Sequence, residues 1–173
     1  HIRTNHARML SGAIQGQILR MLVQMNNASD ILELGTFTGY SALCFAEAVA
    51  ETDGVVVTVD NDDENGEVAA EFFAKSEYGK HIRQVIGDAL TVIPTLASEE
   101  PFDLVFIDAD KREYPDYYRM LMGDDGGAPL VHSGSILLAD NILWYGKVVE
   151  EVAHNDRQTQ GILEFNRMVR DDE

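Results

Sequence analysis

From about His6 to Met25 apolar residues recur at helical spacing, at Met9, Leu10, Ile14, Ile18, Leu22 and Met25, until "NNASD" interrupts the pattern. One helix or two are expected there. The period then changes. "ILELG" reads as a strand, Tyr40 to Ala50 as a helix ended by the turn residues of "ETDG", and "VVVTVD" as the clearest strand of the chain, β-branched and closing at Asp60. Its near-continuous apolar character predicts a strand covered on both faces. Asp63 to Lys75 follows as an amphipathic helix, "HIRQVIGD" as a third strand and Ala89 to Leu96 as a short helix. Phe102 to Ile107 is the fourth strand, Pro115 to Met122 a helix, "SILLAD" the fifth strand and Gln158 to Val169 the last helix.

Strand and helix alternating in this way predict an α/β fold. Parallel strands need crossovers, and the crossovers cover both faces of a doubly wound, mostly parallel, Rossmann-like sheet. A single domain over 1–173 is expected, with a helical segment (1–29) ahead of the core (30–173). Ligands in such sheets bind beyond the carboxyl ends of the strands. The residues just after each strand are therefore the ones to read for chemistry.

Composition narrows the partners. Thirty acidic residues against thirteen basic ones leave a formal charge of −17 over 173 residues. That balance repels nucleic-acid phosphates and anionic membrane surfaces, and it fits either ordinary acidic solubility or a high-salt interior. No apolar run approaches the roughly 20 residues of a membrane-spanning helix. The lone cysteine, Cys44, rules out a disulfide framework and points to a reducing, cytoplasmic setting.

The first strand runs into "ELGTFTGYS", where Gly35 and Gly39 permit a tight turn and Tyr40 and Ser41 open a helix. The spacing is Gly-x-x-x-Gly and not the Gly-x-Gly-x-x-Gly that seats a pyrophosphate, so a dinucleotide is disfavoured. A nucleoside without phosphates still fits, because Asp60, about 25 residues on, is placed to accept from ribose hydroxyls. A bare strand-to-helix turn is the plainer reading of two glycines. Glu33 weighs against it, since an acid inside an apolar strand is costly without a partner such as a cationic ligand. Asp88, after the third strand, is either an N-cap or, with Ala89, part of an adenine pocket.

The fourth strand ends in "FIDADK" and the fifth in "LLADN", which would bring Asp108, Asp110, Asp140 and Asn141 to one edge of the sheet if the strands are neighbours. Oxygen ligands without Cys or His suit a hard divalent ion, Mg²⁺, Ca²⁺ or Mn²⁺. Helix capping accounts for one or two of these residues and less well for four. Lys111, three residues after Asp108, is either a proton acceptor or a structural salt-bridge partner.

"RMLSGAIQGQIL", "ILELGTFTGYSAL", "VTVD", "GDAL", "FDLVFIDADKREYPDYY" and "LLADNILWYGKVV" together resemble, in order, the cation-dependent O-methyltransferases that use S-adenosylmethionine, the group of catechol and caffeoyl-coenzyme A O-methyltransferases and their small bacterial relatives. The resemblance implies the class I methyltransferase fold and a homodimer. It also implies a vicinal aromatic diol as methyl acceptor. Under it Glu33, Gly35, Thr36, Tyr40 and Ser41 belong to the cofactor loop, with Met9 and Ser11 closing over it. Asp60 becomes the ribose carboxylate, Asp88 and Ala89 adenine contacts, and Asp110 a contact near the methionine part. Asp108, Asp140 and Asn141 become metal ligands, and Asp108 with Lys111 the catalytic pair.

Three departures accompany it. "PLVHSGS" after a "GDDGGA" loop replaces a Pro-Gly-Gly turn and is expected to be a mobile surface insertion. Tyr145 stands where the plant enzymes carry a polar residue, so substrate contacts should differ. The family's final antiparallel strand pair is expected to be absent, leaving an exposed sheet edge. Other classes compete: a receiver-like signalling module, which would need paired acids where "GTFTG" stands; a nicotinamide-dependent oxidoreductase, disfavoured by the glycine spacing; and a cofactor-binding protein without turnover.

Overall fold

The computed structural model describes residues 11–98 and 100–172. Its strands are β1 (Asp30–Leu34), β2 (Val55–Asp60), β3 (Ile82–Ile86), β4 (Phe102–Ile107) and β5 (Val131–Ala139). They form one sheet in the order β3-β2-β1-β4-β5, with every neighbouring pair parallel. The helices are α1 (Ala13–Asn26), α2 (Tyr40–Val49), α3 (Asp63–Lys75), α4 (Ala89–Val92), α5 (Tyr114–Met122) and α6 (Arg157–Asp171). This is the doubly wound α/β sheet that the alternation predicts. Strand order reverses at β1, so the ends of β1 and β4 border the crevice where such folds bind ligands.

The continuous apolar runs of β1 and β2 are buried on both faces, as expected: Ile31, Leu32, Leu34, Val56, Val57 and Val59 are 0–1% exposed. On one face α1 and α2 bring Leu19, Val23, Phe45 and Val49 against Ile31, Val56, Leu104 and Phe106, with Phe45 and Phe106 edge to face at 5.7 Å. On the other, Tyr117, Leu121, Ile162 and Phe165 of α5 and α6 cover Leu32, Leu34, Val105 and Ile107. Each fully buried side chain of this kind contributes about 1.5–3 kcal/mol. Asp62 starts α3 by accepting from Asn65 N at 2.9 Å, and Asp156 starts α6 by accepting from Thr159 N at 3.1 Å.

Two expectations are corrected, and the first helix is turned in a way that its periodicity left open. Its apolar stripe faces out: Ile14 and Met25 are 79% and 73% exposed, and the buried positions are Gly16, Leu19 and Val23. Gly16 decides this. A Cβ on it would stand 2.7 Å from Cys44 Sγ, so only the bare glycine lets α1 lie this close to α2. The helix expected over Ala89 to Leu96 keeps α geometry only to Val92 and tightens to a 3-10 turn over Ile93–Ser98, because Pro94 has no N–H to continue the ladder. Finally, "VHSGS", expected in a surface insertion, forms the first half of β5. The register jumps from Phe102↔Val131 to Leu104↔Ile136, a bulge closed by Ser135 Oγ, which donates to Phe102 O at 2.7 Å and accepts from His132 N at 2.9 Å.

Gly161 of α6 lies directly over the segment after β4. A Cβ there would stand 2.4 Å from Lys111 O and 2.9 Å from Arg112 Cα, both backbone atoms. Thermal unfolding of Gly161→Ala should show a loss of about 1–3 kcal/mol. Gly12→Ala, where no described residue lies within 4 Å, should stay within about 0.5 kcal/mol of the parent.

Candidate active site

The carboxyl ends of all five strands open into one cavity of about 920 Å³. Gly35 and Thr36 enter it after β1, Asp60 at the end of β2, Asp88 and Ala89 after β3, Asp108, Asp110 and Lys111 after β4, and Asp140 and Asn141 after β5. Ser11, Tyr40 and Ser41 complete the wall on the helical side. Met9 lies outside the described residues. Glu33 is not on the wall; it is fully buried beneath the turn.

Gly35 has φ +105°, and a Cβ on it would stand 2.2 Å from Asp108 O, so the glycine lets the end of β1 touch the end of β4. Phe37, which sequence reasoning missed, also takes a left-handed φ of 48°. This aims its N–H at Asp60 Oδ2 (2.7 Å), while Asp62 N donates to Asp60 Oδ1 at 3.0 Å. Asp60 is thereby locked in direction, yet each oxygen keeps lone pairs for ribose hydroxyls. Asp88 accepts from Thr91 N at 3.3 Å as the N-cap of α4, and with Ala89 it also lines the cavity.

After β4 the chain concentrates charge. Lys111, only 7% exposed, donates to Asp108 Oδ1 at 2.7 Å and to Tyr114 Oη at 2.8 Å. Tyr114 Oη in turn reaches Ile107 O (2.9 Å) and Asp140 O (3.2 Å), so one buried hydroxyl ties the ends of β4 and β5 to the lysine. Sequence reasoning missed Tyr114 as well. Its signal was the spacing of three from Lys111 at a helix start. Burial holds the Asp108 carboxyl above its usual range, the Lys111 ammonium opposes this, and the like charge of Asp140 adds to it. Asp110 is held low, chiefly by its side-chain hydrogen bonds from Arg112, whose Nε lies 2.9 and 3.0 Å from its two oxygens.

Asp108 and Asp140 thus come together, at the ends of adjacent strands, close enough for each charge to bear on the other. Asn141 follows at φ 60°. Among the described residues no three His, Cys, Asp or Glu side chains are arranged to hold a metal ion. Two carboxylates and one amide oxygen are the available donors, a hard-ion set, with Lys111 held on the Asp108 side. Beyond Asn141, Trp144 (φ 42°), Tyr145 (φ 57°) and Gly146 (φ 85°) continue in left-handed conformations, a costly run of backbone at the cavity rim.

A family model described as O-methyltransferase matches residues 1–173. The chain belongs to the O-methyltransferase family. It is 33% identical over 157 residues to a catechol O-methyltransferase of Niastella koreensis, covering 90% of this chain and 67% of that protein. With a caffeoyl-CoA O-methyltransferase of Populus kitakamiensis it shares 34% identity, covering 91% and 68%. The O-methyltransferase of Bacillus cereus in complex with SAH superposes with a TM-score of 0.86 at 30% identity, covering 96% of this chain and 73% of that one. The chain spans about two thirds of the length of the curated O-methyltransferases it matches first. These likenesses do not favour the receiver-like or nicotinamide-dependent readings.

Burial pushes the Glu33 carboxyl up to about 8 from 4.5. The charges of Asp108 and Asp60 add to the shift, and the Ser41 and Thr58 hydroxyls oppose it. The folded chain therefore keeps a proton that the unfolded chain has lost. Its stabilising effect is full below about 4.5 and is lost as pH rises through about 8. Urea unfolding of the ligand-free protein should show stability falling across that window by up to about 1.4 kcal/mol per pH unit. Glu33→Gln should flatten the slope.

Proposed function

We propose that this chain forms the cofactor and catalytic core of an S-adenosylmethionine-dependent O-methyltransferase, which transfers a methyl group to one hydroxyl of a vicinal aromatic diol chelated to a divalent cation. One observation carries the reading. Asp108 and Asp140 meet at one end of the sheet, on the same cavity as the glycine turn and the oriented Asp60. The SAH-bound neighbour supports the cofactor. The catechol and caffeoyl-CoA relatives support the acceptor class.

In this reading the turn at Gly35 admits the nucleoside against bare backbone, Asp60 accepts from its ribose, and Thr36 and Ser41 face its amino-acid end, with Glu33 buried behind them. Asp110 borders the same end once Arg112 yields. Asp108, Asp140 and Asn141 would hold Mg²⁺, Ca²⁺ or Mn²⁺, which lowers a chelated hydroxyl's pKa and fixes its direction. Methyl transfer from a sulfonium is an in-line displacement and needs an aligned oxygen nucleophile. Lys111, held by Asp108 and Tyr114, receives the proton of the acceptor hydroxyl or offsets the charge left behind. Trp144 and Tyr145 on the rim meet the acceptor, so its contacts differ from those of the plant enzymes. A homodimer goes with the proposal on the resemblance alone, a single domain on the length of the chain, and a cytoplasmic setting on its lone cysteine.

Titration calorimetry should detect S-adenosylmethionine binding, weakened about tenfold or more in Asp60→Ala. A methyl-transfer assay on catechols should fall about a hundredfold on chelation or in Asp140→Ala, and Mg²⁺ should restore only the chelated parent. Turnover that survives Asp140→Ala under chelator would exclude the metal role.

A further inference from the structure

Beneath the glycine turn, three buried oxygens form a line. Thr36 Oγ1 lies 2.6 Å from Thr58 Oγ1, and Thr58 Oγ1 donates to Glu33 Oε2 at 2.6 Å. Glu33, Thr36 and Thr58 are 0%, 1% and 0% exposed. A threonine hydroxyl has one proton to give. With the Thr58 proton directed at the carboxylate, the hydrogen between the two threonines comes from Thr36, so the chain has a direction: Thr36 to Thr58 to Glu33. Its cause lies in the register. Glu33 on β1 stands opposite Thr58 on β2, and paired residues of adjacent parallel strands project from the same face. β-Branching then stiffens the Thr58 side chain about its first bond.

This chain occupies one carboxylate oxygen and leaves the other. Among the described residues Glu33 Oε1 is buried and makes no hydrogen bond, although the Ser41 hydroxyl lies near the same carboxyl. An unpaired acceptor at such a depth is costly, and a cationic donor is the group that most offsets the cost. Thr36, bonded to Thr58, and Ser41, whose hydroxyl bears on Glu33, both line the cavity.

We propose that Thr58 is a positioning residue for the amino-acid end of the cofactor: by holding Glu33 Oε2 it fixes the carboxylate so that Oε1 receives the ligand's α-ammonium group. The proposal rests on the S-adenosyl reading of the cavity and adds to it a residue that touches no ligand. Among the described residues Asp60, Asp108 and Cys44 are the other titratable groups bearing on Glu33, and none of them is a cation. The α-ammonium would be the positive partner, and its arrival would release the proton that Glu33 holds in the ligand-free chain.

Two ligands separate positioning from bulk structure. S-adenosylhomocysteine and methylthioadenosine share the adenosine and the thioether, but only the first carries the amino-acid end. Calorimetry on the full chain should show Thr58→Val weakening S-adenosylhomocysteine about tenfold or more while methylthioadenosine stays within about twofold. Thr58→Ser, which restores the hydroxyl, should keep both within about threefold of the parent. Equal weakening of both ligands in Thr58→Val, or of neither, overturns the proposal and leaves the S-adenosyl reading standing. A parent protein that binds neither ligand overturns that reading and the proposal with it. If Thr58→Val fails to fold, Glu33→Gln and Thr58→Ser decide: selective loss of S-adenosylhomocysteine in the first with retention in the second is required, and any other pattern overturns the proposal.

Discussion

The contact between Gly35 and the Asp108 carbonyl governs this molecule. No side chain fits at that point, and the left-handed φ of Gly35 turns β1 away from the sheet just where β4 ends. Two consequences follow at once. The nucleoside side of the cavity and the acidic side share a wall one backbone thick, and the residues after β4 begin in contact with the turn that would hold the cofactor. A bulkier residue at position 35 would separate the two halves of the chemistry by the width of a side chain.

Charge is arranged around this junction in matched pairs. Lys111 is nearly buried but donates to Asp108 and Tyr114; Asp110 is fastened to Arg112; Asp60 is fed by two backbone N–H groups. Against that background Glu33 stands out, with one oxygen bonded and the other without a partner among the described residues. Partly satisfied polar groups in a low-dielectric interior are expensive to keep, and strain, a catalytic role or a bound water or ion is what accounts for them. The left-handed run from Trp144 to Gly146 makes a similar point in backbone terms at the opposite rim.

Much of this arrangement was legible beforehand because its causes are local. Strand ends follow from β-branched runs, the glycine turn from its spacing, and the acidic edge from "DADK" and "ADN" once β4 and β5 are neighbours. What escaped was set by tertiary contact. The exposed stripe of α1 has good helical periodicity, but periodicity says which residues share a face and not which face wins; Gly16, weak on any hydropathy scale, decides it by permitting close approach. Phe37 and Tyr114 matter through a backbone N–H and a single hydroxyl, which no pattern of apolar and polar positions records. The bulge in β5 depends on Ser135 folding back on Phe102, a pairing between residues far apart in the chain.

That bulge separates length from phase. Upstream of it β5 meets β4 at Val131 alone, whereas the stretch from Ile136 to Ala139 takes its register from Leu104 to Ile107 and so delivers Asp140 to the cavity whatever happens earlier. Chain added or removed near Ser133 and Gly134 is absorbed at the far end of the sheet, and the acidic edge does not feel it. The fold thus has a place where evolution, or a protein engineer, can lengthen the chain without retuning the chemistry.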